Sequence, residues 1–238
     1  VVSNFGGKDG AVIAFDVETG DEVWASSSDG ASYASAIVTG FGGPQQVVTI
    51  SAKAVVSFDV QTGQPGWRYT FPQSMMHHNI VTPLSVGDLV VVSGKGRGIT
   101  ALRASSGGDG WSVEPAWRID SLGMDMSSPV QSDGRIYGLS HQDKGRIFSL
   151  DAATGEVLWT GPGRTAKYAS LLVVDGAILA LTDSAELIVL SDNGKSYEEL
   201  ARYTVAESPT WPHLVPIDGG VLVKDQDHLS LWSWFAGQ

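Results

Sequence analysis

Four side chains of metal-binding type stand out in this 238-residue sequence: His77, His78, Asp125 and His213. Imidazole nitrogens and carboxylate oxygens are common ligands of divalent metal ions. Neighbouring residues of an extended strand point to opposite faces, however, so His77 and His78 are badly placed to hold one ion together. We therefore predict no metal site from these residues.

The residue types needed for nucleophilic or phosphate chemistry occur without the arrangement that this chemistry needs. Ser, His and Asp are all present, but there is no Gly-x-Ser-x-Gly segment, and there is no Cys for a thiolate nucleophile, a zinc site or a disulfide. Residues 94–98, Gly-Lys-Gly-Arg-Gly, resemble a phosphate-binding loop, but such loops depend on a following helix, and none is predicted. We interpret them as a glycine-rich hairpin turn, with residues 6–10 in the same place of an earlier repeat. The sequence thus indicates no catalytic residues.

The charge balance excludes several classes of partner. Lys and Arg number 15 against 26 Asp and Glu, a formal net charge of −11. This removes the electrostatic basis for sequence-independent nucleic-acid binding and for docking on anionic lipid. The apolar runs, such as residues 89–92, are too short to span a bilayer. The chain opens at Val1 with no signal-peptide pattern, so we expect a mature or cut piece of a longer protein.

A repeated segment determines the architecture that would position any site. Each copy has an apolar residue, then Asp-x-x-Thr-Gly, then a Trp eight residues after the Asp. The Asp, Gly and Trp of three copies are Asp16, Gly20 and Trp24; Asp59, Gly63 and Trp67; and Asp151, Gly155 and Trp159. Two degenerate copies place their aromatic residues at Trp117 and Tyr203, so the aromatic positions are 42 to 50 residues apart. That spacing is typical of a four-stranded propeller blade, and no segment shows helical periodicity, which predicts an all-β propeller.

The repeated residues have structural explanations. An Asp carboxylate can accept backbone N–H groups two and three residues further on, and Gly supplies the positive φ of a bulged turn. The Trp follows on the outer strand, where a large ring can pack between adjacent blades. We expect Trp24, Trp67, Trp117 and Trp159 to be buried between blades rather than to take part in catalysis.

A second pattern marks the first, innermost strand of each blade. These strands are predicted to begin near Ser35, Thr82, Ser128, Ser170 and His213. After Ser128 the pattern also predicts strands at residues 135–140 and 146–151. The predicted organisation is one propeller domain over residues 1–238, with a partial blade (1–30), four blades (31–76, 77–123, 124–165 and 166–207) and a second partial blade (208–238).

This repeat resembles that of the quinoprotein-like, or PQQ-like, propellers, and the resemblance covers residues 11–234. The repeat occurs in quinone-dependent alcohol dehydrogenases, in the lipoprotein of the outer-membrane β-barrel assembly machinery, and in exported bacterial proteins. The resemblance implies a periplasmic or secreted protein. It also implies a ring of about eight blades, of which this chain would hold the C-terminal five to six.

The resemblance leaves two functions open. The quinone-dependent dehydrogenases use an Asp base, a calcium ion and often a disulfide of neighbouring cysteines, whereas this chain has no Cys and no residue that matches the calcium ligands or the Asp. We prefer a non-catalytic scaffold that needs no cofactor and binds a protein, a peptide or a small ligand. The alternative is a dehydrogenase that depends on pyrroloquinoline quinone (PQQ) and Ca²⁺, or a degenerate remnant of one.

The residues just before the innermost strands are the candidates for binding, because in propellers they line the mouth of the central channel. They differ between copies, as expected of a specific binding site, although loops also vary where nothing restrains them. The position two residues before each predicted strand start carries Tyr33, Ile80, Met126, Tyr168 and Trp211. The predicted ligand-binding surface consists of His78, Asn79, Asp125, Lys167, Tyr168, Trp211 and His213.

Overall fold

The computed structural model describes residues 2–4, 11–27, 29–41, 43–73, 78–108, 110–211 and 213–233. These residues form six antiparallel sheets, four with four strands and two with three, which confirms the predicted all-β class. Within the same residues, the one helical element is a short 3-10 turn, Gln142–Lys144, and no helix is long and apolar enough to cross a membrane. The chain divides into two compact units, residues 1–125 and 126–238, each with three sheets.

The three sheets of the first unit follow the chain, so that strands adjacent in sequence are paired. They contain β1 (Val2–Asn4), β2 (Ala11–Phe15) and β3 (Glu22–Ser27); β4 (Ile37–Thr39), β5 (Gln46–Ile50), β6 (Ala54–Asp59) and β7 (Pro65–Thr70); and β8 (Leu84–Val86), β9 (Leu89–Ser93), β10 (Ile99–Gly107) and β11 (Gly110–Ile119). Both β5 and β9 are buried along their whole length. Their continuous apolar sequences are explained by this position, because an inner strand that is covered on both faces has no side that favours polar residues.

The second unit repeats this arrangement. It contains β12 (Val130–Ser132), β13 (Arg135–Ser140), β14 (Arg146–Asp151) and β15 (Val157–Thr160); β16 (Ala169–Val174), β17 (Ala177–Thr182), β18 (Glu186–Ser191) and β19 (Glu199–Thr204); and β20 (Val215–Ile217), β21 (Gly220–Lys224) and β22 (Leu229–Ser233). The bounds of β13 and β14 confirm the strands predicted at residues 135–140 and 146–151.

The first strands of five sheets begin close to the predicted positions. They start at Ile37, Leu84, Val130, Ala169 and Val215. Each start lies within two residues of its prediction, which confirms that the pattern before these strands marks where pairing begins. The side chains just upstream therefore lie at the entrance to a first strand in each sheet.

The repeated Asp residues organise the turn before the last strand of their sheets. Asp16 Oδ1 accepts the backbone N–H groups of Glu18 and Thr19, each at 2.9 Å. Asp59 and Asp151 accept the corresponding N–H groups at 2.8–3.1 Å and also the hydroxyl of the Thr three residues on, at 2.8 Å. These donors stabilise the charged carboxylate and lower the pKa of all three Asp side chains: the Thr19 N–H has the largest effect on Asp16, and the Thr hydroxyl on the other two.

Acid should destabilise the fold through these turns. Because the pKa of Asp16, Asp59 and Asp151 is lowered in the folded state, each contributes stability above its unfolded pKa, and this contribution is lost as the pH falls through the folded pKa. The D16N/D59N/D151N variant keeps the acceptor oxygens but cannot gain these protons. Its urea midpoint should therefore fall less steeply with pH than that of the wild type, when both are measured from neutral pH down to about pH 2. Equal pH dependence in the two proteins would contradict the assignment.

Trp24 joins the first two sheets of the first unit. Its side chain is buried, its Nε1 donates a hydrogen bond to the carbonyl of Val60 at 3.0 Å, and its ring lies against Gly63. A Cβ added to Gly63 would come within 2.6 Å of that ring. The glycine of one repeat thus makes room for the tryptophan of the repeat before it.

The repeat tryptophans of the next two sheets, Trp67 and Trp117, differ in how far they are buried. Trp67 is buried among apolar side chains of both sheets, as expected. Trp117 is only half-buried, so the expectation that it is buried is wrong. The reason is the long β10–β11 hairpin, in which Trp111 packs against this core instead, with its ring 6.1 Å from that of Phe41.

Trp159 has the equivalent position in the second unit. It is 8% exposed and packs between two sheets, with ring centroids 5.9 Å from Tyr137 and 5.7 Å from Tyr197. Among the described residues, its Nε1 has no hydrogen-bond partner. Its contribution to stability must therefore come from packing.

Candidate functional site

An aromatic pair, with Trp211 exposed and Tyr168 half-buried, lies at the entrance to the first strands of the second unit. The ring centroids of Tyr168 and Trp211 are 5.1 Å apart with an interplanar angle of 39°, and Lys167 Nζ lies 5.0 Å from the Tyr168 ring centroid. Trp211 is 62% exposed and Met126, which lies beside this pair, is 46% exposed. Together with His213, these residues form what we call the Tyr168 surface: Met126, Lys167, Tyr168, Trp211 and His213. Four of the seven predicted binding residues are brought together here.

Asp183 fixes the backbone that carries two members of the Tyr168 surface. Its Oδ1 accepts the N–H groups of Lys167 and Tyr168 at 3.0 and 3.2 Å, and its own N–H donates to the Tyr168 carbonyl at 3.0 Å. Asp183 directly follows β17, so the end of the second strand holds the start of the first strand. Asp183 could not be identified from the sequence, because no local pattern relates it to residues that are 15 and 16 positions away.

Two hydroxyl groups complete this support. The buried hydroxyl of Thr210 donates to the carbonyl of Thr182, which anchors the chain directly before Trp211. The buried hydroxyl of Ser127 accepts the N–H of Ala169 at 3.0 Å, directly after Tyr168. Trp211 is thus exposed and Tyr168 half-buried, while the backbone beneath both is held by buried hydrogen bonds.

The depression in the Tyr168 surface is small. Its volume is about 70 Å³, and its lining residues are Met126, Tyr168, Ala169, Ser170, Leu181, Thr210, Trp211 and His213. Sites for small molecules and cofactors are usually several times larger, at about 300–1,000 Å³. The shape fits the tip of one side chain from a protein partner better than it fits a free ligand.

The first unit has a smaller aromatic contact at the equivalent position. Tyr33, 70% exposed, meets the ring of His78 edge-on at 5.3 Å, and the Tyr33 N–H donates to the Asn79 carbonyl at 2.9 Å. His78 Nδ1 lies 3.3 Å from Gln73 Oε1. His77 lies outside the described residues.

Asn79 and Asp125, two further predicted binding residues, are held by other parts of the first unit. Asn79 is fully buried, and its amide nitrogen donates to the carbonyls of Ser51 and Phe71 at 2.8 and 3.2 Å. Asp125 is largely buried and pairs with Lys95 Nζ at 3.1 Å. Asn79 stands three residues before its predicted strand start, as Thr210 does, and both residues bond a carbonyl at the end of a second strand. We therefore leave Asn79 out of the proposed surface.

The residues considered for metal and phosphate chemistry form no such site in the part of the chain that the structure describes. Among the described residues, no three His, Asp or Glu side chains are grouped so that they could hold a metal ion. The 94–98 segment connects β9 to β10 as a hairpin turn, and Arg97 lies over the Phe71 ring at 4.5 Å. Residues 6–10 lie outside the described residues.

Comparisons with known proteins identify the family and the fold of the chain. A family model described as outer membrane protein assembly factor BamB matches residues 8–116 and 114–211. No curated protein matches the sequence significantly. Among solved structures, BamB from Moraxella catarrhalis is similar with a TM-score of 0.72 and 19% identity, over 98% of this chain and 70% of that one.

Two further solved structures share the fold. The computationally designed Ika8 protein has a TM-score of 0.63 and 14% identity, over 98% of this chain and 80% of that one. A europium-containing methanol dehydrogenase has a TM-score of 0.61 and 11% identity, over 87% of this chain and 49% of that one. Likenesses at such low identity concern the fold alone, and they confirm a propeller of four-stranded blades.

Proposed function

Because the chain belongs to the family described as outer membrane protein assembly factor BamB, we propose that it is a non-catalytic propeller that binds a protein partner through the Tyr168 surface. Family membership confirms the resemblance to PQQ-like repeat propellers, and it supports a protein-binding scaffold at a coarse level. The choice of surface and the place of binding are our proposals.

The observation that carries the proposal is the Tyr168–Trp211 pair, in which Trp211 is exposed and Tyr168 is half-buried, on a backbone fixed by buried hydrogen bonds. Exposed clusters of large apolar side chains commonly mark interaction sites, and Trp and Tyr are enriched among the residues that dominate binding energy. Because Asp183 and Thr210 already hold the backbone, binding would order little beyond the side chains. The small depression between the rings favours a protein partner over a cofactor.

The envelope location is proposed from the family, whose printed description concerns outer membrane protein assembly. We propose that the chain acts in the periplasm or outside the cell, together with an envelope protein. Fractionation of cells that express the full-length protein tests this, and recovery in the cytosol alone would contradict it.

We also propose that binding needs neither PQQ nor Ca²⁺. The likeness to the methanol dehydrogenase extends to the fold alone, and the described residues contain no group of three His, Asp or Glu side chains that could hold a metal ion. Equilibrium dialysis of the full-length protein with PQQ and Ca²⁺ tests this point. Saturable binding of the quinone would favour the dehydrogenase alternative.

The Y168A/W211A variant should lose partner capture. We expect at least about a hundredfold weaker binding, because aromatic residues at the centre of an interface often contribute 2 kcal/mol or more each. The wild type and the variant are immobilised and exposed to envelope extract, the captured partner is identified by mass spectrometry, and its affinity is then measured with purified components.

The control is the L200A/Y203A variant, which removes two side chains that are 55% and 53% exposed on β19. It should bind like the wild type. Unchanged capture by Y168A/W211A, or equal losses in the two variants, would overturn the proposed role of the Tyr168 surface.

A further inference from the structure

The second unit contains a groove lined almost entirely by charged residues. It lies between the β13–β14 loop and the segment that follows β15, and its volume is about 470 Å³. We call it the cationic groove, and its lining residues are Asp143, Lys144, Arg146, Gly163 and Arg164. None of these residues belongs to the Tyr168 surface.

The charge of the cationic groove is opposite to that of the chain. The whole sequence has 15 cationic against 26 anionic side chains, whereas the groove has three cationic residues and one carboxylate. The carboxylate of Asp143 is paired with Arg146 Nη2 at 2.9 Å. Among the described residues, the side chains of Lys144 and Arg164 have no ion-pair or hydrogen-bond partner, and both are exposed. Two cations are thus free to meet a ligand.

The backbone around the groove is held in an uncommon conformation. Asp143, Lys144 and Arg164 have positive φ values of 51°, 62° and 64°, and they are three of the five non-glycine residues with positive φ in the described part of the chain. The two walls are joined by a hydrogen bond from the Arg164 N–H to the Asp143 carbonyl at 2.9 Å. Non-glycine residues are held in this region only where surrounding structure enforces it, and such positions are concentrated at functional sites.

The β9–β10 loop has the same place in the sheet β8–β11 as the β13–β14 loop has in its own sheet. The cations in and beside the β9–β10 loop are already paired. There Lys95 lies 3.1 Å from Asp125, and Arg118 lies 2.7 Å from Asp120. Arg97 donates to a backbone carbonyl at 3.0 Å. A groove of about 510 Å³ is present there as well, but the cationic side chains that line it are paired with groups of the protein itself. Unpaired cations are therefore not a general property of this loop position.

We propose that the cationic groove binds an acidic segment of a protein partner, with its carboxylates on Lys144 and Arg164. The groove is far larger than a single small anion needs, so it can take several residues of an extended peptide. A planar guanidinium and an ammonium are both suited to carboxylates. The net charge of −11 opposes an extended anionic surface such as a lipid bilayer or a nucleic acid. A short acidic segment meets mainly the local field, because charges more than about 8–10 Å away are screened at physiological salt.

A fluorescein-labelled oligoglutamate peptide and its oligoglutamine counterpart test the proposal directly by fluorescence anisotropy. The glutamate peptide should bind the wild-type protein, should bind more weakly as salt is raised, and should be displaced by inorganic phosphate at high concentration. The glutamine peptide should not bind. The K144Q/R164Q variant should weaken binding of the glutamate peptide at least about tenfold, since it removes two charge-assisted contacts.

The matched control removes the same charge elsewhere. Lys53 and Lys195 are exposed, and neither side chain has a partner among the described residues, so K53Q/K195Q should bind the glutamate peptide like the wild type. Equal weakening in the two variants would overturn the proposal, because net charge alone would then explain the binding. Both variants should keep the wild-type melting temperature, and loss of peptide binding in a K144Q/R164Q protein that still melts like the wild type supports a direct contact.

Two further measurements distinguish peptide binding in the cationic groove from binding of other anions and from binding at the Tyr168 surface. Binding of phosphatidylglycerol vesicles or inorganic phosphate without any binding of the glutamate peptide would overturn the peptide assignment. The Y168A/W211A variant should bind the peptide normally, so failure of the cationic groove and failure of the Tyr168 surface give different results.

Discussion

Replacement of Trp159 by alanine is expected to lower the free energy of unfolding by about 3–5 kcal/mol. The ring is 8% exposed and lies between two sheets, where it contacts the rings of Tyr137 and Tyr197. Removal of so large a side chain leaves a cavity that rigid neighbouring strands cannot fill. Urea denaturation followed by tryptophan fluorescence and by circular dichroism measures the loss.

Two controls separate packing from other causes. Among the described residues the Trp159 Nε1 has no hydrogen-bond partner, so W159F should cost much less than W159A, because it keeps an aromatic ring and leaves no polar group without a partner. The W211A variant removes a tryptophan that is 62% exposed, and its stability should stay within about 0.5 kcal/mol of the wild type. A loss below about 1 kcal/mol for W159A would show that the ring does not hold the two sheets together.

The sequence was most informative about the order and the ends of strands. The Asp-x-x-Thr-Gly turn allows few backbone conformations, and its repetition together with the pattern before each first strand indicates where strands begin and end. These constraints are local, so they can be recognised without knowing what lies beside the strand. The bounds of β13 and β14 illustrate this, since the turns that flank them are specified by adjacent residues.

Packing between sheets was harder to predict from the sequence, because it depends on residues that are far apart in the chain. Trp117 has the spacing of a docked tryptophan, yet the extended β10–β11 hairpin brings Trp111 to the Phe41 side of the core instead. The alignment of repeats showed an insertion before Trp117. It did not show which of the two indole rings the inserted residues would place against the neighbouring sheet.

The candidate site also contains some features that local sequence patterns predict and others that depend on long-range contacts. The alignment of repeats places the exposed side chains Tyr33, Met126 and Trp211 two positions before predicted strand starts, but of these three only Trp211 was included in the predicted binding surface. One position further upstream the alignment also selected Asn79, whose amide is buried and bonds to backbone carbonyls. A polar residue type alone does not distinguish a group that faces a partner from one that supports the loop.

The hydrogen bonds that hold the backbone of the Tyr168 surface could not be predicted either, because they join residues that are distant in sequence. Asp183 follows a buried strand and looks like an ordinary turn residue, and only the pairing of β16 with β17 brings its carboxylate to two N–H groups. Loss of this carboxylate would release the backbone under Tyr168 without changing any exposed side chain. The proposed binding at this surface would therefore depend on a residue that is not itself part of the surface.

The G63A variant should show that the docking of Trp24 depends on the absence of a side chain at the turn of the next repeat. Gly63 has a φ of +68°, and a Cβ would lie 2.6 Å from the Trp24 ring. We expect a loss of about 2–5 kcal/mol, because strain from the positive φ adds to overpacking against the ring.

Gly20 provides a control with the same backbone requirement. Its φ is +77°, and a Cβ added there would meet nothing within 4 Å, so G20A should cost only about 1–2 kcal/mol. The difference between the two variants isolates the contact with Trp24, and it should disappear when Trp24 is itself replaced by alanine. Urea midpoints of the two glycine variants, each made with and without W24A, measure this coupling. Equal losses for G63A and G20A in the presence of Trp24 would mean that the ring moves aside freely, and the join between the first two sheets would then need another explanation.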